Sequence, residues 1–143
     1  AQGAGYASPH VQINSPGGIV SEALAVYDVL RKYAIPAVAT GFVASAAAMI
    51  ILQGATTRSA TPSTRFMLHE IMRVQEEAST ERTSDSADSL REQTRIENSI
   101  YDILGSRCGK RRAEIKKLLY RKEIRFTAEE ALKWGLIDEI LYS

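Results

Sequence analysis

Residues 10–40 read as two short strands flanking one amphipathic helix, joined by connections of only a few residues. Residues 10–14 alternate apolar and polar side chains, which predicts a strand, and the Ser-Pro-Gly-Gly run at 15–18 ends it. Residues 20–33 then carry apolar side chains at helical spacing, and residues 35–40 predict a second, buried strand. Strand, helix and strand with short connections form a unit whose strands are parallel and whose crossover is right-handed. The chain is therefore expected to be an α/β protein.

The composition is that of one globular domain. The chain has 143 residues, 45% of them hydrophobic and 24% charged. The net charge of +1 creates no field toward nucleic acid or anionic membranes, so neither is expected as a partner. Residues 33–57 carry no charge and are long enough to cross a bilayer. Because Pro36 and Gly41 interrupt this run, it predicts a buried strand and a buried helix instead.

The cysteine count and the N-terminus bear on the compartment. Cys108 is the only cysteine and cannot form an internal disulfide, which fits a reducing compartment and a structural role for this thiol. The first residues have neither a basic nor an apolar region typical of a signal peptide. We expect a cytoplasmic protein that uses no metal and no cofactor. The Gly- and Ala-rich stretch through Pro9 is expected to be flexible or a truncated edge.

Residues 41–49 predict the end of a strand, a bend at small residues and the start of an apolar helix. A serine in such a bend presents its hydroxyl and the following backbone N–H at a helix N-terminus. Enzymes of acyl transfer use that arrangement for a nucleophile and half of an oxyanion hole. Ser45 would lie at the carboxyl end of a parallel strand, where open α/β sheets bind ligands. Small residues beside a serine are also common in close-packed helices, so a purely structural role stays open.

Two other segments offer matching chemistry. A strand at residues 65–69 delivers His69 at its end, where an imidazole could act as the general base for Ser45 or merely cap the strand. Gly17 and Gly18 permit close backbone approach, so their turn could offer N–H groups to a ligand oxygen or simply connect a strand to a helix.

The middle of the chain predicts loops and a long helix. Residues 56–64 predict a polar loop, and residues 70–88 predict a second loop that leads into a helix. That helix covers about residues 86–104 with a sparse apolar stripe, and Gly105 is expected to stop it. A long helix with so few apolar residues could project and pack against a partner subunit, or remain a solvated surface helix.

The last third predicts two shorter helices and a final strand. Residues 110–122 form a basic amphipathic helix, whose solvated face is favoured over a nucleic-acid or membrane contact. Three apolar residues are expected on its inner side: Ile115, Leu118 and Leu119. A capping box at residues 127–130 and Gly135 delimit a short helix, and residues 136–141 predict a strand.

These segments resemble, in this order, the ClpP family, the proteolytic subunits of Clp proteases. Matching segments are residues 13–18 (Ile-Asn-Ser-Pro-Gly-Gly), 25–28, the Ala44-Ser45 bend, 67–69 and 127–138. They are collinear from Val11 onward. The resemblance implies a crotonase-like ClpP fold of repeated βαβ units with a projecting handle helix. It also implies a single ClpP-like domain over residues 1–143, with the N-terminal segment of the family absent or truncated.

The resemblance further implies a serine endopeptidase that cleaves unfolded proteins or peptides inside an oligomeric chamber. Ser45 matches the family's nucleophile, His69 its general base, and Glu123 stands where the family usually has the aspartate of its triad. The N–H groups of Gly18 and Ala46 match the oxyanion hole. Substrate is expected to run beside Gly17, Ile19, Val20 and Leu68.

Glu123 is the departure that bears most on activity. A glutamate keeps the charge that orients and stabilises the imidazole, but its extra methylene requires a backbone adjustment. Alternatively, Glu123 merely pairs with Lys122 or Arg125, as exposed carboxylates readily do.

The implied partners are protein or peptide substrates, a homo-oligomeric ring and, as a candidate, an AAA+ ATPase unfoldase. Only 13 residues precede Asn14, so the ATPase site is expected to be absent or incomplete, as in a phage-type member that works without an unfoldase. Two other functions stay open: a catalytically silent ring subunit, and an acyl-CoA enzyme of the crotonase type that has no use for a Ser–His pair.

Overall fold

The computed structural model describes residues 9–71 and 87–142. The predicted flexible start at residues 1–8 and most of the predicted loop at 70–88 lie outside these ranges. Six strands form one sheet: β1 (Val11–Ser15), β2 (Ala37–Ala44), β3 (Arg58–Ala60), β4 (Arg65–His69), β5 (Glu123–Thr127) and β6 (Glu139–Ile140). Their order is β5-β4-β2-β3-β6, with β1 also paired to β2. Every pair is parallel except β4 with β5.

The first helix, Val20–Lys32, connects the parallel strands β1 and β2 and confirms the predicted strand–helix–strand unit. After β2 the chain forms a π-helical turn at Ala47–Ile51 and a 3-10 turn at Leu52–Gly54. Three further helices follow: the long helix Ala87–Cys108, the basic helix Arg112–Leu119 and the closing helix Ala128–Trp134. The capping box at Thr127 and the left-handed Gly135 delimit the closing helix as predicted.

Residues 33–57, the charge-free run predicted to form a buried strand and a buried helix, include the centre of the core. The side chains of the π-helical turn, from Ala47 to Ile50, have no solvent exposure. They pack in one cluster with Tyr101 and Leu104 of the long helix. Among the described residues, no helix combines the length and apolarity that a membrane span requires.

β2 continues through Gly41 to Ala44, where it pairs with β4, so the strand end expected at the start of residues 41–49 is present. Two strand predictions need correction. The predicted loop at residues 56–64 contains β3, which is buried because it lies between β2 and β6. The predicted strand at 136–141 is reduced to β6 because the chain pairs with β3 over only two residues.

Gly105 does not end the long helix, which continues to Cys108 and is followed by the left-handed Gly109. Gly105 instead permits a close contact with the backbone that follows. Its carbonyl accepts the N–H of Lys110 at 2.9 Å, and a Cβ on Gly105 would lie 2.3 Å from the Lys110 carbonyl oxygen. On the basic helix, Ile115 and Leu119 face the core as predicted, whereas the Leu118 side chain lies on the exposed flank.

A buried arginine fastens the closing segment to the centre of the molecule. The Arg58 guanidinium binds both carboxylate oxygens of Asp138, at 3.2 and 2.6 Å, and the carbonyl of Gly135 at 2.8 Å. It also donates to the Gln53 amide oxygen at 2.7 Å, while the Gln53 amide nitrogen donates to the Ala48 carbonyl at 3.0 Å. A buried cation is tolerated when it is paired and hydrogen-bonded in this way. The network therefore links β3, the end of the chain and the π-helical turn.

The substitution Asp138→Asn tests this network. Burial alone would raise the pKa of Asp138, but its hydrogen bonds with Arg58 outweigh burial and hold the pKa below its usual value. A carboxyl with a depressed pKa stabilises the fold above its unfolded pKa of about 3.9, and this contribution is lost as the pH falls through the folded pKa. Because Asp138 is partly exposed, we expect Asp138→Asn to cost about 2–3 kcal/mol at neutral pH, somewhat less than breaking a fully buried pair.

Urea unfolding of both proteins from neutral pH to a pH of about 3 measures this effect, and the difference should shrink below about pH 3.9. Asp102→Asn is the control, since its partner Arg112 is on the surface and such pairs contribute little. A difference for Asp138→Asn that stays constant over the whole pH range would contradict the assignment.

The substitution Gly105→Ala is expected to reverse the usual preference for alanine over glycine inside a helix. Alanine normally stabilises a helix interior by about 1 kcal/mol relative to glycine. Here the added Cβ meets a backbone oxygen, and overpacking of this kind typically costs about 1–3 kcal/mol. We expect Gly105→Ala to lower the free energy of unfolding in urea, whereas Ser106→Ala at the exposed neighbouring position leaves it nearly unchanged. A stabilised Gly105→Ala variant would show that the contact with Lys110 does not constrain the helix.

Candidate active site

Ser45 lies one residue beyond β2, in a strained turn that leads into the π-helical turn. Its φ of +59° lies in the left-handed region that residues other than glycine rarely adopt. The turn is held by the Ser45 N–H, which donates to the Met67 carbonyl at 2.7 Å, and by the Ser45 carbonyl, which accepts the N–H of Met49 at 2.9 Å. A sharp, strained strand-to-helix turn is how several hydrolases expose a nucleophilic serine.

The glycine turn after β1 packs directly against Ser45. Gly17 has a φ of +112°, and a Cβ on it would lie 2.9 Å from the Cβ of Ser45 and 3.1 Å from its hydroxyl. The Ser15 hydroxyl accepts the Gly17 N–H at 3.1 Å and holds the turn. The structure thus brings Gly17 and Gly18 to the segment that contains Ser45 and Ala46, as an oxyanion hole built from two separate segments requires.

The Asn14 side chain bonds β1 to β2 just before the glycine turn, a role that the sequence analysis did not predict. Its side-chain oxygen accepts the N–H of Phe42 at 3.1 Å, and a Cβ on Gly41 would lie 2.8 Å from that oxygen. The register between β1 and β2 shifts between Ile13 and Ser15 at this point. The asparagine side chain therefore pairs with β2 where the ladder is irregular. The signal was present, since a glycine inside a predicted strand often marks a bulge or a close approach.

His69 ends β4, the strand beside β2. Because Ala44 of β2 and Met67 of β4 are parallel partners, Ser45 and His69 leave neighbouring strands at the same edge of the sheet. His69 is buried, with only 5% of the residue exposed. Within residues 9–71 and 87–142, its Nδ1 has no hydrogen-bond partner.

Tyr101 of the long helix fixes the chain just beyond His69. Its hydroxyl accepts the N–H of Ile71 at 3.1 Å, and both residues are fully buried. Burial raises the pKa of Tyr101 to about 12, so the phenol stays neutral at physiological pH. The sequence analysis missed this contact because 30 residues separate the partners.

Glu123 is the cross-strand partner of His69 in the antiparallel pair of β4 and β5. Directly opposed residues project to the same face of a sheet, with Cβ atoms about 4.5–5.5 Å apart. The Glu123 carboxylate nevertheless binds Arg125, at 3.3 Å between Oε2 and the guanidinium. Of the two pairings anticipated for Glu123, the structure contains the one with Arg125. It brings the Glu123 backbone to His69, while the described contacts of the carboxylate are with Arg125.

A cavity of about 210 Å³ opens beside the Ser45 turn. Its walls include four of the predicted site residues together with two others: Gly17, Gly18, Ile19 and Ala46, with Glu22 and Ile51. The other two predicted substrate-binding residues, Val20 and Leu68, bury their side chains in the core. Ile19 is therefore the predicted apolar contact whose side chain faces open space.

Cys108 offers no second nucleophile. Burial raises the pKa of its thiol to about 11, so the reactive thiolate is scarce at neutral pH. This agrees with the structural role expected from the sequence. In the described ranges, no group of three or more His, Cys, Asp or Glu side chains could hold a metal ion.

Backbone strain at Ser45 can be measured by comparing Ser45→Gly with Ser45→Ala. Both variants remove the hydroxyl, but only glycine adopts the left-handed conformation without a steric penalty of about 1–2 kcal/mol. Allowing for the greater chain entropy that glycine loses on folding, we expect Ser45→Gly to be about 0.5–1 kcal/mol more stable than Ser45→Ala. Equal free energies of unfolding in urea would mean that the turn stores no strain.

Comparison with known sequences places these features in context. The sequence model of the family described as "Clp protease" matches residues 8–143. The chain is 33% identical over 136 residues to ATP-dependent Clp protease proteolytic subunit 1 of Rhodopirellula baltica, covering 92% of this chain and 57% of that protein. It is also 33% identical over 132 residues to the subunit of the same name from Thermobifida fusca, covering 90% of this chain and 58% of that protein. The chain thus spans less than three-fifths of the length of either relative.

Solved structures agree on the fold. ClpP1 N165D mutant from Listeria monocytogenes superposes with a TM-score of 0.76 at 24% identity, covering 94% of this chain and 73% of that one. The predicted crotonase-like ClpP fold is confirmed.

Proposed function

Because the chain belongs to the Clp protease family, we propose that it is a serine-type peptidase with Ser45 as nucleophile and His69 as general base. The observation that carries the proposal is the strained Ser45 turn, which packs against Gly17 at the same sheet edge as His69. A serine held in a left-handed turn beside a glycine backbone and a buried imidazole is an arrangement that acyl transfer uses and that packing alone does not require.

The proposed reaction begins when the Ser45 hydroxyl attacks the scissile carbonyl carbon and His69 accepts the hydroxyl proton. The resulting oxyanion is held by the backbone N–H groups of Gly18 and Ala46. His69 then gives the proton to the leaving amine, and the C–N bond breaks to leave an acyl ester on Ser45. Water, deprotonated by His69, hydrolyses this ester in the same manner.

Glu123 is proposed as the third member of the triad, accepting a hydrogen bond from His69 Nδ1 when the imidazolium forms. Its cross-strand position opposite His69 supports this role, as does His69 Nδ1, which has no hydrogen-bond partner in the part of the chain that the structure describes. The pairing of Glu123 with Arg125 favours a second candidate function, a catalytically silent subunit that fills a ring.

The substrates are proposed to be unfolded proteins or peptides. The cavity beside Ser45 is small and open, so selection by access would matter more than a deep specificity pocket. We propose that a homo-oligomeric ring provides this enclosure. In support, the first helix exposes Val26 and Val29, and Tyr33, which follows its last residue, is exposed at a continuing helical spacing. The relatives are named as proteolytic subunits of ATP-dependent proteases, so an AAA+ ATPase is the corresponding candidate partner for this chain.

A fluorophosphonate probe tests the proposed nucleophile, since it forms a stable ester only with an activated serine. We expect mass-spectrometric peptide mapping to find a single adduct on Ser45 of the assembled protein. The substitution His69→Ala should slow the labelling by roughly 10²–10⁴-fold, the usual contribution of a general base.

The buried serine Ser59 provides the matched control, because its hydroxyl donates to Glu139 of β6 and its removal should leave labelling unchanged. Native mass measurement of the same samples reports the oligomer. An assembled protein without an adduct on Ser45 would favour the silent subunit. Peptide hydrolysis that survives Ser45→Ala would sink the proposed mechanism altogether.

A further inference from the structure

We infer that Arg125 is a positioning residue that holds Glu123 away from His69 and thereby limits the activity of the site. This inference rests on the proposed function and concerns a residue to which the proposed mechanism gives no role. Two neighbouring observations support it: the buried Nδ1 of His69 has no partner among the described residues, and the carboxylate opposite it is bound to Arg125.

The geometry of the sheet brings the three side chains together. His69 and Glu123 are opposed residues of β4 and β5, and Arg125 lies two positions further along β5, opposite Met67. Residues two apart on a strand project to the same face. The Glu123 carboxylate can therefore reach either the guanidinium of Arg125 along its own strand or the imidazole of His69 across the pair.

The ion pair between Arg125 and Glu123 is weak enough to be replaced by a hydrogen bond between Glu123 and His69. Arg125 and Glu123 expose 65% and 41% of their side chains, and an exposed ion pair contributes little because water screens it. His69 Nδ1 is buried, so in the tautomer that carries its proton there, a bond to a carboxylate contributes more than one from an exposed group would. The carboxylate is thus divided between two partners of comparable strength, and Arg125 sets the division.

The substitution Arg125→Gln removes one of these partners. We expect kcat/KM for a fluorogenic peptide to rise by about two- to fivefold, the factor that the loss of one exposed ion pair supplies, with KM little changed. Arg125→Lys keeps the cation and should stay close to the wild type. The control is Arg65→Gln, which removes another exposed arginine of the same surface cleft, one without a described bond to Glu123.

A double-mutant cycle shows whether the gain passes through Glu123. In the Glu123→Gln background, the further substitution Arg125→Gln should give no gain, since the carboxylate that it would release is gone. A gain that persists in this background would assign the effect to the lost charge of Arg125 itself and overturn the inference. An unchanged kcat/KM in the single variant Arg125→Gln would overturn it as well.

Imidazole spectra separate this inference from the proposed function. The chain has only two histidines, so ¹⁵N-labelled histidine with a His10→Gln variant assigns the His69 signals. A new hydrogen bond from Nδ1 to a carboxylate should move its proton downfield in Arg125→Gln but not in Arg125→Lys. A shift without any hydrolysis or labelling of Ser45 would support the positioning role and overturn the peptidase; hydrolysis with unchanged His69 signals would do the reverse.

Discussion

The close approach of the Gly17 backbone to Ser45 is the constraint on which the candidate site depends. A Cβ on Gly17 would lie 2.9 Å from that of Ser45, so the two segments are nearer than any larger residue allows. Just before this contact, the Asn14 side chain accepts the N–H of Phe42, at the point where the register of β1 against β2 shifts. The glycine turn and the left-handed Ser45 turn thus follow two neighbouring strands that are bonded to each other just before each turn begins.

Behind this contact, the site is braced by parts of the chain that are distant in sequence. The Gln53 amide donates to the Ala48 carbonyl inside the π-helical turn and accepts a hydrogen bond from Arg58. Arg58 in turn forms an ion pair with Asp138. Tyr101 fixes the backbone beyond His69. The contacts of Gln53 and Tyr101 are buried and that of Asp138 is partly buried, so losing a partner there costs more than losing an exposed ion pair. Ser45 and His69, the proposed nucleophile and base, therefore lie on segments that are held by distant parts of the chain.

The sequence was informative wherever structure follows from local signals. The strand–helix–strand unit and the capping box at Thr127 depend on nearby residues, and both were predicted. β3 was missed because its three residues are a strand only through pairing with β2 and β6. Gly105 was misjudged because a glycine at a helix end and a glycine under a close backbone contact look alike in sequence. The bonds of Tyr101 with Ile71 and of Arg58 with Asp138 join residues 30 and 80 positions apart, which no local pattern reports.

Glu123, the proposed third member of the triad, differs from the rest of the proposed site because its side chain is exposed and can change its bonding partner. An exposed pair such as Glu123 with Arg125 contributes up to about 1 kcal/mol, and a hydrogen bond from the neutral imidazole contributes about 0.5–1.5 kcal/mol, so the two contacts are of comparable strength in the resting site. In the proposed mechanism, proton transfer from Ser45 turns His69 into a cation, and its attraction for the Glu123 carboxylate then exceeds that of the solvated arginine. The carboxylate would bind His69 most strongly in the transition state, which is the difference in binding that accelerates a reaction. A glutamate, with one more rotatable bond than aspartate, is suited to moving between two such partners.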